Sequence, residues 1–126
     1  MFTTNRIKGA PVLISREHVK KGTARAIVAN SGNANVCNGE EGLASALMIT
    51  EKTAQALNID SSEVLVASTG VIGRPFPIQK VLEEIPIAVK RLSRDGSSMA
   101  ARAIMTTDTF AKETAVEIDI GGVPVR

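Results

Sequence analysis

Apolar positions fall in short runs through the first thirty residues and at helical spacing after that. Pro11-Val-Leu-Ile14 and Ala24-Arg-Ala-Ile-Val-Ala29 read as two β segments, separated by a charged stretch around His18. Leu43, Leu47, Thr50, Ala54 and Leu57 recur every three to four positions, which predicts a helix over 39–57 with these residues on one face. Asn38 is placed to cap its start, with Glu41 in capping-box position, and Asn58 to close its end in a left-handed conformation. Glu63–Ser68 then reads as a buried strand. A second helical pattern covers roughly 78–92, and Pro86 inside it predicts a break or a kink. A third helix is expected over 97–105. Val116, Ile118 and Ile120 alternate with charges, and Gly121-Gly122 signals a hairpin whose returning arm, Val123-Pro124-Val125, runs only to Arg126. Strands mixed with helices predict an α/β (α+β) class, a single domain over 1–126, and a short hairpin poorly supported by itself.

Composition narrows the function classes. A chain of 126 residues suits one domain. No apolar run approaches the roughly 20 residues of a membrane helix, and the start, MFTTNRIKG, has no secretory signal pattern. The single cysteine, Cys37, cannot form an internal disulfide and fits a reducing compartment. Fifteen basic against thirteen acidic residues leave a scattered charge of +2, and three Phe are the only aromatics. Nucleic-acid binding by basic and stacking residues is therefore not expected.

The familiar catalytic sets are mostly absent. One His and one Cys give no metal site of His/Cys ligand spacing. His18, within SREHVKK, reads as a solvated surface residue, and Cys37 as a small buried thiol rather than a helix-start nucleophile. Three hydroxyl- or amide-rich loops remain: Asn30-Ser-Gly-Asn-Ala-Asn35, Ser68-Thr-Gly-Val-Ile-Gly73 and Met105-Thr-Thr-Asp-Thr-Phe110. A strand ending in a Gly-containing turn can expose backbone N–H groups beside the Thr69 hydroxyl, the equipment of an oxyanion hole. The hydroxyls of the third loop could hold a carboxylate or amide. On local grounds alone each loop is as well read as an ordinary turn or helix cap.

Taken together, FTTNRIKGAPV, ARAIVANSGNANVCNGEEG, VLVASTGVIGRPFP and AIMTTDTFAK resemble, in order and spacing, the amino-terminal part of the ornithine acetyltransferase family, also called glutamate N-acetyltransferase. The resemblance implies a layered helix–sheet sandwich with a mixed sheet, like that of N-terminal-nucleophile hydrolases, of which this chain is a fragment. It implies a precursor that cuts itself before an internal Thr into α and β chains. The new amino-terminal Thr takes acetyl from N-acetylornithine and passes it to glutamate, in arginine biosynthesis. No cofactor is implied, although some members use acetyl-CoA as a second acetyl donor. The partners implied are the β chain, in an α2β2 assembly, and the two small substrates, with no membrane and no nucleic acid. The cytoplasm is the expected compartment, or the mitochondrial matrix in a fungal source.

Residue by residue, Thr69 and Gly70 match the pair forming the family's oxyanion hole. Thr106 matches a substrate-binding position, with Thr107 next to it if the register differs by one. The resemblance assigns no role to the 30–35 loop, Cys37 or His18. The family's Lys-Gly cleavage segment and its nucleophile do not lie within these 126 residues, so this part would supply the oxyanion hole and one wall of the pocket. Two alternatives stay open: a self-processing Thr/Ser-nucleophile amidohydrolase or aminopeptidase of similar fold, and a non-enzymatic α/β binding module.

Overall fold

A computed structural model describes residues 2–125. Its elements are α1 (Ala10–His18), β1 (Ala26–Asn30), α2 (Gly39–Leu57), β2 (Val64–Ser68), α3 (Ile78–Lys90), α4 (Ser97–Ala103), β3 (Ile118–Ile120) and β4 (Val123–Val125). Mixed helix and sheet is as expected, but the strands form two separate sheets. β1 and β2 pair in parallel, Ala26 opposite Val64 through Asn30 opposite Ser68, while β3 and β4 form an antiparallel hairpin. The Gly121-Gly122 turn predicted from sequence joins that hairpin, both glycines having positive φ. Met1 and Arg126 lie outside the described residues.

The helices cover one face of the parallel pair. Strand residues alternate sides, so Val28, Val64 and Val66 turn toward the helices while Ile27, on the opposite face, is 75% exposed. Ala10 of α1, Ala46 and Ile49 of α2, Val66 of β2 and Ile85 of α3 form the buried core.

The segment around 11–14, expected as β, is helical. Pro11 sits in the first turn of α1, where its fixed φ suits a helix and its missing N–H costs nothing. Helical spacing then puts Ala10, Pro11 and Ser15 on one buried side. Ser15 Oγ donates to Val66 O at 2.8 Å and accepts from Val66 N–H at 2.9 Å, and His18 Nδ1 donates to Val64 O at 2.8 Å. Two side chains one helical turn apart thus take the place of a third strand along the outer edge of β2. His18 is accordingly half-buried and bonded, not a free surface residue.

Among the described residues no such cover lies over β1. Asn30 O accepts from Thr69 N–H, so the alternate residues Ile27 and Ala29 turn their backbone groups away from β2, along the sheet's open edge.

α2 has the bounds expected, and Asn58 closes it at φ 55° with Ile59 N–H donating to Ala54 O. Thr50 and Ala54 of the predicted face are buried and Leu43 packs against the core, but the buried side extends to a neighbouring row and leaves Leu47 out. Leu47 is 41% exposed, while Ser45, Ala46, Ile49, Thr50, Thr53 and Ala54 are buried. The reason is that α2 is sandwiched between α1, α3 and β2, so small residues serve where backbones approach closely. Thr50 and Thr53 hydroxyls donate to Leu47 O and Ile49 O within the helix, which satisfies them. Asn38 makes no capping bond, because its amide is turned to Asn35 instead.

Pro86 does not end α3, which runs unbroken from Ile78 to Lys90. A proline inside a helix costs about 3 kcal/mol. The apolar face that keeps the helix together, Ile78, Val81, Leu82, Ile85 and Val89, packs against the core. Burial of Ile85 and its neighbours, each worth up to about 1.5–3 kcal/mol, is enough to outweigh it. α4 ends two residues earlier than expected, at Ala103.

Candidate functional site

β1 and β2 end side by side, and the chain leaves both strands through the small-residue loops noted in the sequence. Parallel pairing carries on beyond the strands. Thr69 N–H donates to Asn30 O at 3.0 Å, Val71 N–H to Gly32 O at 3.2 Å and Ala34 N–H to Val71 O at 3.0 Å, with Asn33 and Val71 bridged. Gly70 is pressed against the neighbouring loop. A Cβ there would stand 2.3 Å from the Gly32 carbonyl carbon, and φ is +131°, so only glycine fits.

This contact singles out two donors. The N–H groups of Thr69 and Val71 are spent on the other loop, whereas the Gly70 N–H between them has no partner among the described residues, nor has Thr69 Oγ1. Both residues are partly exposed. A backbone N–H and a hydroxyl, unspent and next to one another at a strand end, are of the kind that holds an oxygen acquiring negative charge.

Three amides shape the other loop. Asn30 Nδ2 donates to Asn33 O at 2.8 Å, and Asn35, 1% exposed, donates through Nδ2 to Gly42 O at 2.8 Å while its Oδ1 accepts from Asn38 Nδ2. Among the described residues, Asn30 Oδ1 and Asn33 Nδ2 are buried without a partner. Asn30, Ser31 and Asn33 line one wall of a 340 Å³ cleft whose other side is α3, with Lys80 and Glu84 among its lining.

Thr106 and Thr107 lie in an exposed turn after α4. Thr106 N–H donates to Asp108 Oδ2 at 3.3 Å, and Lys112 pairs with Asp108 and stands 4.9 Å from the Phe110 ring centre. The Lys112 bond first, then the Thr106 N–H, holds the Asp108 carboxyl below its ordinary 3.8. Among the described residues no hydrogen bond joins Thr106 or Thr107 to Thr69 or Gly70. An indirect tie exists: Ser31 Oγ donates to Ala103 O, which brings the end of α4 to the 30–35 loop.

Cys37 is exposed, at φ 61°, rather than buried as expected, because the chain reverses there to start α2. Sequence reasoning left the 30–35 loop without a role, and the structure makes it the direct neighbour of Thr69-Gly70. Two apolar strands, AIVAN and VLVAS, each running into an Asn/Ser/Gly-rich loop, were the available signal, since sites in parallel α/β sheets gather at carboxyl ends of strands.

Parallel strands under a helical layer, with paired loops at their carboxyl ends, define a mixed α/β protein with a strand-end site. Comparison with known proteins makes the class specific. The ArgJ family matches residues 1–126, and the chain belongs to that family. Among curated relatives, the "arginine biosynthesis bifunctional protein ArgJ" of Caldanaerobacter subterraneus subsp. tengcongensis is 52% identical over 97% of this chain and 30% of its own length. The "glutamate N-acetyltransferase" of Methanothermobacter thermautotrophicus is 48% identical over 95% of this chain, again 30% of its own length. The chain thus spans about a third of the length of these relatives. The crystal structure of an ornithine acetyltransferase from Mycobacterium tuberculosis, in complex with ornithine, shares the fold at TM-score 0.83 and 39% identity, over 86% of this chain and 60% of that one. The ArgJ protein of Bacillus halodurans follows at TM-score 0.81 and 30% identity, over 98% and 65%. The resemblance seen in the sequence and the fold class it implied are both borne out.

Proposed function

We propose that this chain is the amino-terminal part of the α chain of an acetyltransferase that moves acetyl from N-acetylornithine to glutamate. Names of relatives at 48–52% identity support the reaction. The observation that carries the site is the pair of unspent donors, Gly70 N–H and Thr69 Oγ1, between two amides already committed to the neighbouring loop.

In this reading a Thr hydroxyl outside these residues, freed by self-cleavage of the precursor, attacks the acetyl carbonyl. Negative charge grows on the carbonyl oxygen and is held by Gly70 N–H and Thr69 Oγ1. The C–N bond breaks, ornithine leaves with the proton on its amine, and an acetyl-threonine ester remains. The α-amine of glutamate attacks that ester, giving N-acetylglutamate and restoring the Thr hydroxyl. Acetyl-CoA could serve the same first step, with a thiol leaving instead. Thr106, or Thr107 beside it, contacts the substrate from the turn after α4.

Several observations support a second chain. The β1 edge is open, and the hairpin is exposed throughout. The relatives are about three times as long. We assign the β chain to this role, in an α2β2 assembly. The bacterial relatives favour the cytoplasm, and no helix among the described residues is long and apolar enough to cross a membrane.

Intact mass spectrometry of the full reading frame tests cleavage, with two chains expected and Thr first in the second. In that cleaved protein, Thr69→Ala lowers kcat for acetyl transfer about 10²–10³-fold, as loss of one oxyanion donor does elsewhere. An uncut chain, or an unchanged kcat, overturns the proposal. Transfer to glutamate rather than to water separates it from an amidohydrolase.

A further inference from the structure

We infer that Ser68 is a positioning residue for the Thr69-Gly70 pair, acting through the 30–35 loop; the inference rests on the oxyanion role given to that pair above. Ser68 Oγ accepts from Asn35 N–H at 2.9 Å and donates to Asn33 O at 3.1 Å. One hydroxyl therefore grips the loop at two points, from the residue immediately before Thr69. The grip is tied to a rigid element. Asn35 is buried, and its side chain is fixed to Gly42 O and Asn38 Nδ2 at the first turn of α2. Position thus passes from α2 through Asn35 to Ser68, and from Ser68 along the chain to Thr69.

The loop needs such a grip because it does not satisfy itself. Among the described residues Asn30 Oδ1 and Asn33 Nδ2 are both buried without a partner, so the loop's own side chains satisfy it only in part. What holds it are Ser68 Oγ and Asn30 Nδ2, which both donate to Asn33 O, and the Asn33–Val71 bridge. Gly70 lies close against Gly32, where a Cβ would stand 2.3 Å from the carbonyl carbon, and Val71 N–H donates to Gly32 O. Any shift of the loop moves the Gly70 amide, and donors displaced by about an ångström from a developing charge lose much of their effect.

The test is steady-state kinetics of acetyl transfer in the full-length, cleaved protein, with Thr69→Ala as reference. Ser68→Ala is expected to lower kcat about 10–100-fold with KM within about twofold of the parent, the pattern of an interaction made only in the transition state. Ser68→Thr, which restores the hydroxyl, is expected to return kcat to within about fivefold. Asn30→Ala removes the other side-chain bond to Asn33 O and is expected to lower kcat about 3–10-fold, again with KM unchanged; it carries the test if Ser68→Ala does not fold. If Thr69→Ala lowers kcat while Ser68→Ala and Asn30→Ala leave it unchanged, the positioning role is overturned and the oxyanion reading stands. If KM rises in step with the fall in kcat/KM at constant kcat, Ser68 serves binding or folding only, and the inference is overturned as well. An unchanged kcat in Thr69→Ala overturns the oxyanion reading itself.

Discussion

Residues 9–90 and residues 91–125 differ in how their positions are held. The first stretch contains every buried residue described: helices close over the parallel strands, Ser15 and His18 occupy the far edge of β2, and Thr69-Gly70 is locked against the 30–35 loop. The second has none. Met99, Ile104, Phe110, Ile118, Ile120 and Val123 are 48–66% exposed, and Ser31 Oγ, donating to Ala103 O, ties the end of α4 back. Two parts of one proposed site thus stand on different footings. The proposed oxyanion donors belong to a stretch that sets their position internally, while Thr106 and Thr107 lie in an exposed turn.

The sharpest way to break that contrast is at Ile49, 2% exposed in the core. Ile49→Ala should cost about 2–5 kcal/mol in chemical denaturation, and a loss below about 1 would show that the first stretch is not held by this core. Ser15→Ala comes next. It strands Val66 N–H and C=O at a covered edge, and about 1–3 kcal/mol is expected, read as a shift in denaturation midpoint.

Ile118→Ala, in the hairpin, should change the same midpoint by less than about 0.5 kcal/mol in this chain. A larger loss would mean that the hairpin is packed, and the comparison would fail. The smallest effect is that of pH on the 105–112 turn. Hydrogen bonds to the ionised Asp108 carboxyl lower its pKa, so their contribution is complete above the ordinary value of 3.8 and is lost only as pH falls below it. Amide shifts of Thr106 followed by NMR should therefore stay flat at neutral pH and move only in that acid range.

Much was legible along the chain. α2, its closing residue Asn58, strand β2, and the hairpin turn follow from periodicity and from left-handed positions that Asn and Gly tolerate. Where local reasoning failed, a tertiary partner had overruled it. The run at 11–14 looks like a strand by its apolar character and is a helix because its polar side, Ser15 and His18, answers the edge of β2. Pro86 looks like a stop and is carried by the packing of Ile85. Leu47 looks like core and is exposed because α2 is packed on several sides through small residues.

The candidate site divides in the same way. Thr69 and Gly70 could be named from the sequence, since residue type and their place after an apolar strand are local properties. That Gly70 N–H is unspent, and that Asn33, Asn35 and Ser68 determine where it lies, is not a local property. It depends on parallel strands separated by 38 residues ending side by side, so that one loop's amides are used up by the other. Short-range pattern determined the elements and the chemical groups on offer. Only long-range pairing decided which of those groups were left free.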